Sequence, residues 1–262
     1  MIQKLGFQLY TARDYMSNPD IADVALAKLA EAGYSEIHTA CTKGCVDDET
    51  LYKLCKKNGI SIIGSHYDWN KIVNTPDAVM DTHDMWGTKN VGIGGMPQEA
   101  RENASNLRAF IKQFNETAEI YAKRGFKLTY HHHNFEFARI DGFKTMMDIL
   151  VEEFDPATTA FVLDTCWVSA GGGDVVAWME KLAGRFDILH LKDMALKKDK
   201  NDGKFYPYIT EVGHGNLSWD PIIQAAERLG VKNYIVEQDH NFLPDAIGSL
   251  TFAADFLKKY RA

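Results

Sequence analysis

Gly125-Phe126-Lys127-Leu128-Thr129-Tyr130-His131-His132-His133 carries the reading of the fold. It follows residues 106–124, where apolar side chains recur at three- and four-residue spacing, the pattern of an amphipathic helix. Gly125 is the expected left-handed stop, and residues 127–133 then read as a strand. The same unit repeats in both directions. Strand patterns fall at residues 4–10, 35–39, 61–66, 90–94, 127–133, 159–164, 188–192 and 233–237. Helical patterns at 20–30, 50–57, 106–124, 175–182 and 221–229 are each followed by a glycine (Gly33, Gly59, Gly125, Gly184, Gly230). Strict alternation predicts a parallel sheet, and eight strands are the number that closes, so the expected fold is a single (β/α)₈ barrel over residues 1–262. An open doubly wound sheet would carry a glycine-rich turn after its first strand, and Gln8-Leu9-Tyr10-Thr11-Ala12-Arg13 is no such turn.

One connection departs from the rhythm. Residues 194–218 are polar and rich in lysine, and a connection of that length after a strand is read as a lid-like loop over the catalytic face.

The chain has 262 residues, 45% of them hydrophobic and 25% charged, enough for one sizeable core. Its net charge of −7 argues against nucleic acid as a partner. No run of eighteen apolar residues and no secretory pattern is present, so the expectation is a cytoplasmic protein without a membrane partner. A homo-oligomer is left open. Cys41 and Cys45 lack the second pair that would close a tetrahedral site and are read as ordinary thiols.

In such a barrel the reactive groups stand where strands end. Strand five ends in Tyr130-His131-His132-His133-Asn134-Phe135-Glu136, strand six in Leu163-Asp164, strand seven in His190-Leu191-Lys192, and strand eight in Val236-Glu237. Four consecutive strands thus each deliver a metal-ligand type: His131, Asp164, His190 and Glu237. Each has an ordinary alternative, a helix cap for Asp164 and a core imidazole for His190, but together they predict one divalent ion. Mixed imidazole and carboxylate donors suit manganese first, with zinc, cobalt, iron or magnesium as alternatives. Alternation along the strand sends His131 and His133 to one face and His132 to the other. Glu237, His133 and Glu136 are candidate catalytic groups. His66, Trp69, Trp167, Lys192 and His240 are candidate substrate contacts, and Trp219 is a further ring that could stack on a sugar.

The chain resembles the xylose isomerase-like TIM barrels, the sugar phosphate isomerase/epimerase family. The resemblance is carried by Gly6-Phe7-Gln8-Leu9-Tyr10, Tyr130-His131-His132-His133-Asn134-Phe135-Glu136-Phe137, Leu163-Asp164-Thr165-Cys166-Trp167, His190-Leu191-Lys192-Asp193, Val212-Gly213-His214-Gly215-Asn216 and Val236-Glu237-Gln238-Asp239. It implies a metal set of Glu, Asp, His and Glu on strands five to eight. Asp164, His190 and Glu237 match three positions, and His131 stands where the epimerases have glutamate. It also implies a small carbohydrate substrate and proton removal next to a carbonyl, with isomerisation or epimerisation ranked first. A lyase on a keto-sugar, keto-glycoside or inosose is the alternative. A nuclease of the same superfamily and a non-catalytic sugar-binding barrel are the readings from other classes.

Overall fold

The computed structural model describes residues 1–40 and 44–261, and Cys41 lies outside them. Eight parallel strands close into one barrel: β1 (Leu5–Gln8), β2 (Glu36–Ala40), β3 (Ser61–His66), β4 (Asn90–Ile93), β5 (Lys127–His131), β6 (Thr159–Asp164), β7 (Phe186–Leu191) and β8 (Asn233–Val236). Sequence neighbours pair all the way round, and β1 closes the ring by pairing β8 as Leu5↔Tyr234 and Gly6↔Ile235. A Cβ on Gly6 would come within 2.4 Å of Ile235 Cδ1, so glycine is what lets the closing strands meet.

Helices follow the strands and bury their apolar stripe against the ring. In the helix Ala104–Ala122 the buried residues Leu107, Phe110, Ile111, Phe114, Ala118 and Tyr121 recur at helical spacing. Gly125 takes φ 76° and turns the chain into β5. A separate buried cluster of Val162, Ile188 and Ile235 lies inside the sheet. Asp164, His190 and Glu237 follow these three by two residues each, so the period of the strand puts acid, imidazole and acid on the same face one layer higher.

Two strands stop two residues short of their sequence reading. The first strand stops at Gln8, where the Gln8 side chain caps a 3₁₀ turn (Leu9–Tyr15), and the fifth stops at His131. Within the long polar connection read as a lid-like loop over residues 194–218, two segments pair. Asp193–Lys198 and Phe205–Thr210 pair antiparallel, with Asp193 opposite Thr210 and Lys198 opposite Phe205. Period-two alternation was hidden there by lysines and by Pro207. Among the described residues no helix is long and apolar enough to cross a membrane.

Candidate metal centre and cavity

His131, Asp164, His190 and Glu237 converge. Each offers one donor atom, all four atoms lie within 4.8 Å of one another, and all four residues are buried. His131 Nε2 stands 3.5 Å from Asp164 Oδ2 and 4.0 Å from Glu237 Oε2. His190 Nδ1 stands 2.8 Å from Glu237 Oε2 and 4.0 Å from Asp164 Oδ2. The capping role considered for Asp164 also holds, on its other oxygen: Oδ1 accepts the Trp167 backbone N–H at 2.9 Å.

The donors suit a divalent ion in more than number. His131 Nδ1 lies 3.4 Å from the Gly94 carbonyl, which can only accept, so the ring proton belongs on Nδ1 and the Nε2 lone pair faces the acids. Burial, with His190 next to it, holds His131 well below the usual imidazole range, in the neutral form a ligand needs. Two imidazole nitrogens and two carboxylate oxygens from four different strands make a donor set that could hold a metal ion.

Lys192 is a buried partner of these acids. It is 1% exposed, with Nζ 2.9 Å from Glu237 Oε2, 3.1 Å from Asp239 Oδ2 and 3.3 Å from Asp164 Oδ2. Burial alone would lower its pKa, but the carboxylates of Asp164, Glu237 and Asp239 raise it well above the usual lysine range. Burial acts on Glu237 in the opposite sense, and the Lys192 ammonium and His190 still hold it well below the carboxylate range. Asp239 is raised, by burial and then by repulsion from Glu237 and Asp164, which outweigh Lys192.

Above this cluster opens a cavity of about 600 Å³. Of the residues singled out from sequence, His66, Trp69, His131, His133, Lys192 and Glu237 line it. Trp69 is braced by stacking on Phe114, 5.6 Å between centroids and 19° between planes. His133 lies beyond the end of β5 with its ring on the cavity. Its Nδ1 packs at the place where a Cβ on Gly95 would come within 3.4 Å, which leaves Nε2 as the ring nitrogen available to a ligand. Burial, then the charges of His131 and Lys192, push His133 down to about 3. His132 points away and ties β5 to β6: its Nε2 accepts the Asp164 backbone N–H at 3.1 Å.

Four sequence candidates lie elsewhere. Glu136 is fully buried and does not line the cavity; it accepts from the Tyr130 hydroxyl at 2.6 Å and from the His133 backbone N–H at 2.8 Å. It braces the triple histidine from behind. Burial pushes it up to about 7 despite those two bonds. Trp167 packs behind His133 (centroids 5.4 Å apart), and the Lys192 ammonium sits 4.8 Å from its ring centre. His240 is exposed, and only its carbonyl is engaged, by the Gln238 amide at 3.1 Å. Trp219 is buried, with Nε1 donating to Asp193 Oδ2 at 2.7 Å, so its indole anchors the chain after the hairpin and offers no sugar platform.

The cavity also recruits Tyr10, Arg101 and Asp239, which sequence reading passed over. Asp239 was findable, since it follows Glu237 by two residues. Arg101 sits on a 3₁₀ turn (Gln98–Arg101) between β4 and the Ala104–Ala122 helix, where no periodicity marks it. Below the cavity, His38, His66 and His190 bring three ring nitrogens within 4.8 Å of one another. His38 stands inside β2, two residues before its end, so a test of strand ends alone does not reach it.

The comparisons agree with this architecture. A family profile described as xylose isomerase-like TIM barrel matches residues 26–260. An inosose dehydratase of Lactiplantibacillus plantarum is 29% identical over 140 residues, which is 49% of this chain and 46% of that protein, so the match spans about half the length of the relative. A sugar phosphate isomerase/epimerase from Parabacteroides distasonis superposes with a TM-score of 0.79 at 21% identity, over 98% of this chain and 96% of that one. A probable 3-DHS dehydratase from Bacillus anthracis does so with a TM-score of 0.72 at 13% identity, over 97% and 98%. The chain belongs to the xylose isomerase-like TIM barrel family.

Proposed function

We propose that the chain is a divalent-metal-dependent lyase that removes the proton next to the carbonyl of a small keto-sugar or inosose and expels a β-oxygen substituent. The carrying observation is His131. It brings an imidazole into the ligand set, 4.0 Å from Glu237, where the family's two-base epimerases carry a second carboxylate. Epimerisation by paired acids on strands five and eight therefore lacks its strand-five acid. The inosose dehydratase matched over half its length points the same way.

When bound, the ion supplies Lewis acidity at the substrate carbonyl. The chain's residues do the rest. His133 is neutral, and in the tautomer with its ring proton on Nδ1 its Nε2 has a lone pair for the proton on the carbon next to the carbonyl. The C–H bond breaks and its electron pair becomes the C=C of the enolate. A negative charge forming beside the ring raises the basicity of His133 just as it is needed. Collapse of the enolate restores the carbonyl and breaks the β C–O bond. The departing oxygen takes the proton back from His133 Nε2 while the Lys192 ammonium stabilises its charge. Trp69 offers a flat apolar face for the ring.

The test is incubation with Mn²⁺ and a panel of inososes, keto-sugars and keto-glycosides in deuterated water, followed by mass spectrometry. The lyase reading expects loss of the β-substituent. Deuterium uptake without that loss would give the isomerase or epimerase reading instead, and neither event across the panel would end the enzyme reading.

A further inference from the structure

We propose that Arg101 is the anion-binding residue of the cavity, so that the sugar taken there carries a carboxylate or phosphate group. The inference rests on the sugar-site reading proposed above and adds a charge to its substrate.

Two cations line the cavity, Lys192 and Arg101, and they stand in opposite situations. Lys192 already has Asp164, Glu237 and Asp239 within 3.3 Å of its Nζ. A substrate anion would have to compete there with three built-in carboxylates. Arg101 pairs with no carboxylate among the described residues: its Nη2 donates to the Met96 carbonyl at 2.7 Å, and one face lies 3.8 Å over the Phe135 ring. Both contacts are with uncharged groups, so they fix the plane of the guanidinium and leave its charge unbalanced. Glu136 feels that charge, but its oxygens are taken by the Tyr130 hydroxyl and the His133 backbone N–H. Asp68, the remaining acid on the cavity wall, caps a short helix by accepting from the Lys71 backbone N–H at 2.9 Å.

The guanidinium is also close to the reacting centre. The Phe135 ring beneath it is stacked on the His133 imidazole, 5.5 Å between centroids and 14° between planes. Arg101 and the proposed base are thus one aromatic ring apart, and both line the cavity. A sugar whose reacting carbon faces His133 can place an anionic substituent, a few bonds away, on Arg101. The planar N–H groups match the paired oxygens of a carboxylate or phosphate, and such a charge-assisted bond is about twice as strong as a neutral one. A neutral sugar would leave this cation without a counter-charge.

The experiment measures binding to the full chain by calorimetry in the presence of Mn²⁺. The probes are a methyl glucoside, its 6-phosphate and the matching methyl glucuronide. Each has its carbonyl carbon locked as a glycoside, so turnover does not obscure binding. Wild type should bind at least one anionic probe about 10–100-fold more tightly than the neutral one, and which one does so separates carboxylate from phosphate. Arg101→Met keeps the apolar stem, removes the charge and should abolish that gap while the neutral glucoside binds as before. Arg101→Lys restores a charge without the planar fork and should recover only part of it. Equal binding of all three probes by wild type would overturn the inference and leave the sugar site standing. A preference kept in Arg101→Met would place the anion on the Mn²⁺ ion and overturn it too. Binding of none of the probes would overturn the sugar-site reading and this inference together.

Discussion

The Lys192 ammonium and the Glu237 carboxylate face each other at 2.9 Å, the lysine side chain 1% and the glutamate side chain 5% exposed. Such a pair contributes little net stability while intact, but removing one member leaves a buried charge without a counter-charge. Lys192→Met should destabilise the metal-free chain by about 3–5 kcal/mol. Urea unfolding in chelator measures this, and added Mn²⁺ should recover part of the loss by supplying positive charge to the same acids. An unchanged midpoint would mean that the lysine does not balance them.

Asp193, next in sequence, organises the chain that returns from the hairpin. Its Oδ2 accepts from Gly213 N–H at 3.0 Å, Gly215 N–H at 3.2 Å and Trp219 Nε1 at 2.7 Å, and its Oδ1 accepts from Leu217 N–H at 3.2 Å. A Cβ on Gly215 would lie 2.0 Å from Asp193 Oδ1 and 2.6 Å from the Met194 carbonyl. Gly215→Ala should therefore cost about 1–3 kcal/mol or more, because neither neighbour is a flexible tip that can step aside. Thermal unfolding checks it, and a variant as stable as wild type would show that the loop re-forms without this close approach.

His83 predicts an acid-sensitive range. It is fully buried, its Nδ1 donates to the Val79 carbonyl and its Nε2 accepts from the Ser65 hydroxyl, both at 2.7 Å. Burial pushes its pKa down to about 4. Above pH 6.5 the ring is neutral folded or unfolded and makes no pH-dependent contribution. As pH falls from 6.5 to about 4 the unfolded chain takes up the proton first, and stability drops by about 3 kcal/mol. His83→Gln should flatten this part of the stability profile, measured by denaturant titration at a series of pH values. A parallel slope in the variant would remove His83 as the source.

Glu136 has the opposite slope. Its folded pKa of about 7 lies above the ordinary 4.5, so between those values the folded chain keeps a proton that the unfolded chain has released. Stability is then greatest at the acid end and falls by about 3 kcal/mol as pH rises from 4.5 to 7. Glu136→Gln should remove that slope, and the His133 N–H, now facing an amide, should exchange faster with solvent. If hydrogen exchange at His133 is unchanged, Glu136 does not brace the triple histidine as its two bonds suggest.

The barrel was legible because its signals are periodic. Eight apolar runs and the glycines after the helices depend only on local rules, and Asp164, His190 and Glu237 each fall two residues after an apolar inward residue. His38 went unread because it stands inside β2, which closes on Thr39 and Ala40, neither of them a typical metal ligand. The hairpin went unread because both its strands are mostly solvent-facing: Leu196 and Phe205 are 58% and 64% exposed, so no buried face marks a period. Glu136 and Trp167 illustrate a different limit. Their residue types suit a sugar site, and only packing shows that one supports the strand end while the other backs His133. Arg101 reaches the cavity from a turn, donating to the nearby Met96 carbonyl at 2.7 Å, and its position also depends on a contact distant in sequence, the Phe135 ring 3.8 Å under its guanidinium.

The account stands on His131, Asp164, His190 and Glu237 holding one divalent ion together. Mn²⁺ titration of the metal-free chain, set beside the same titration of Asp164→Asn and Glu237→Gln, tests this most directly. One Mn²⁺ per wild-type chain, with binding weakened by about 10-fold or more in each variant, is the expected result. Equal binding by wild type and both variants, or none by any of them, would contradict it.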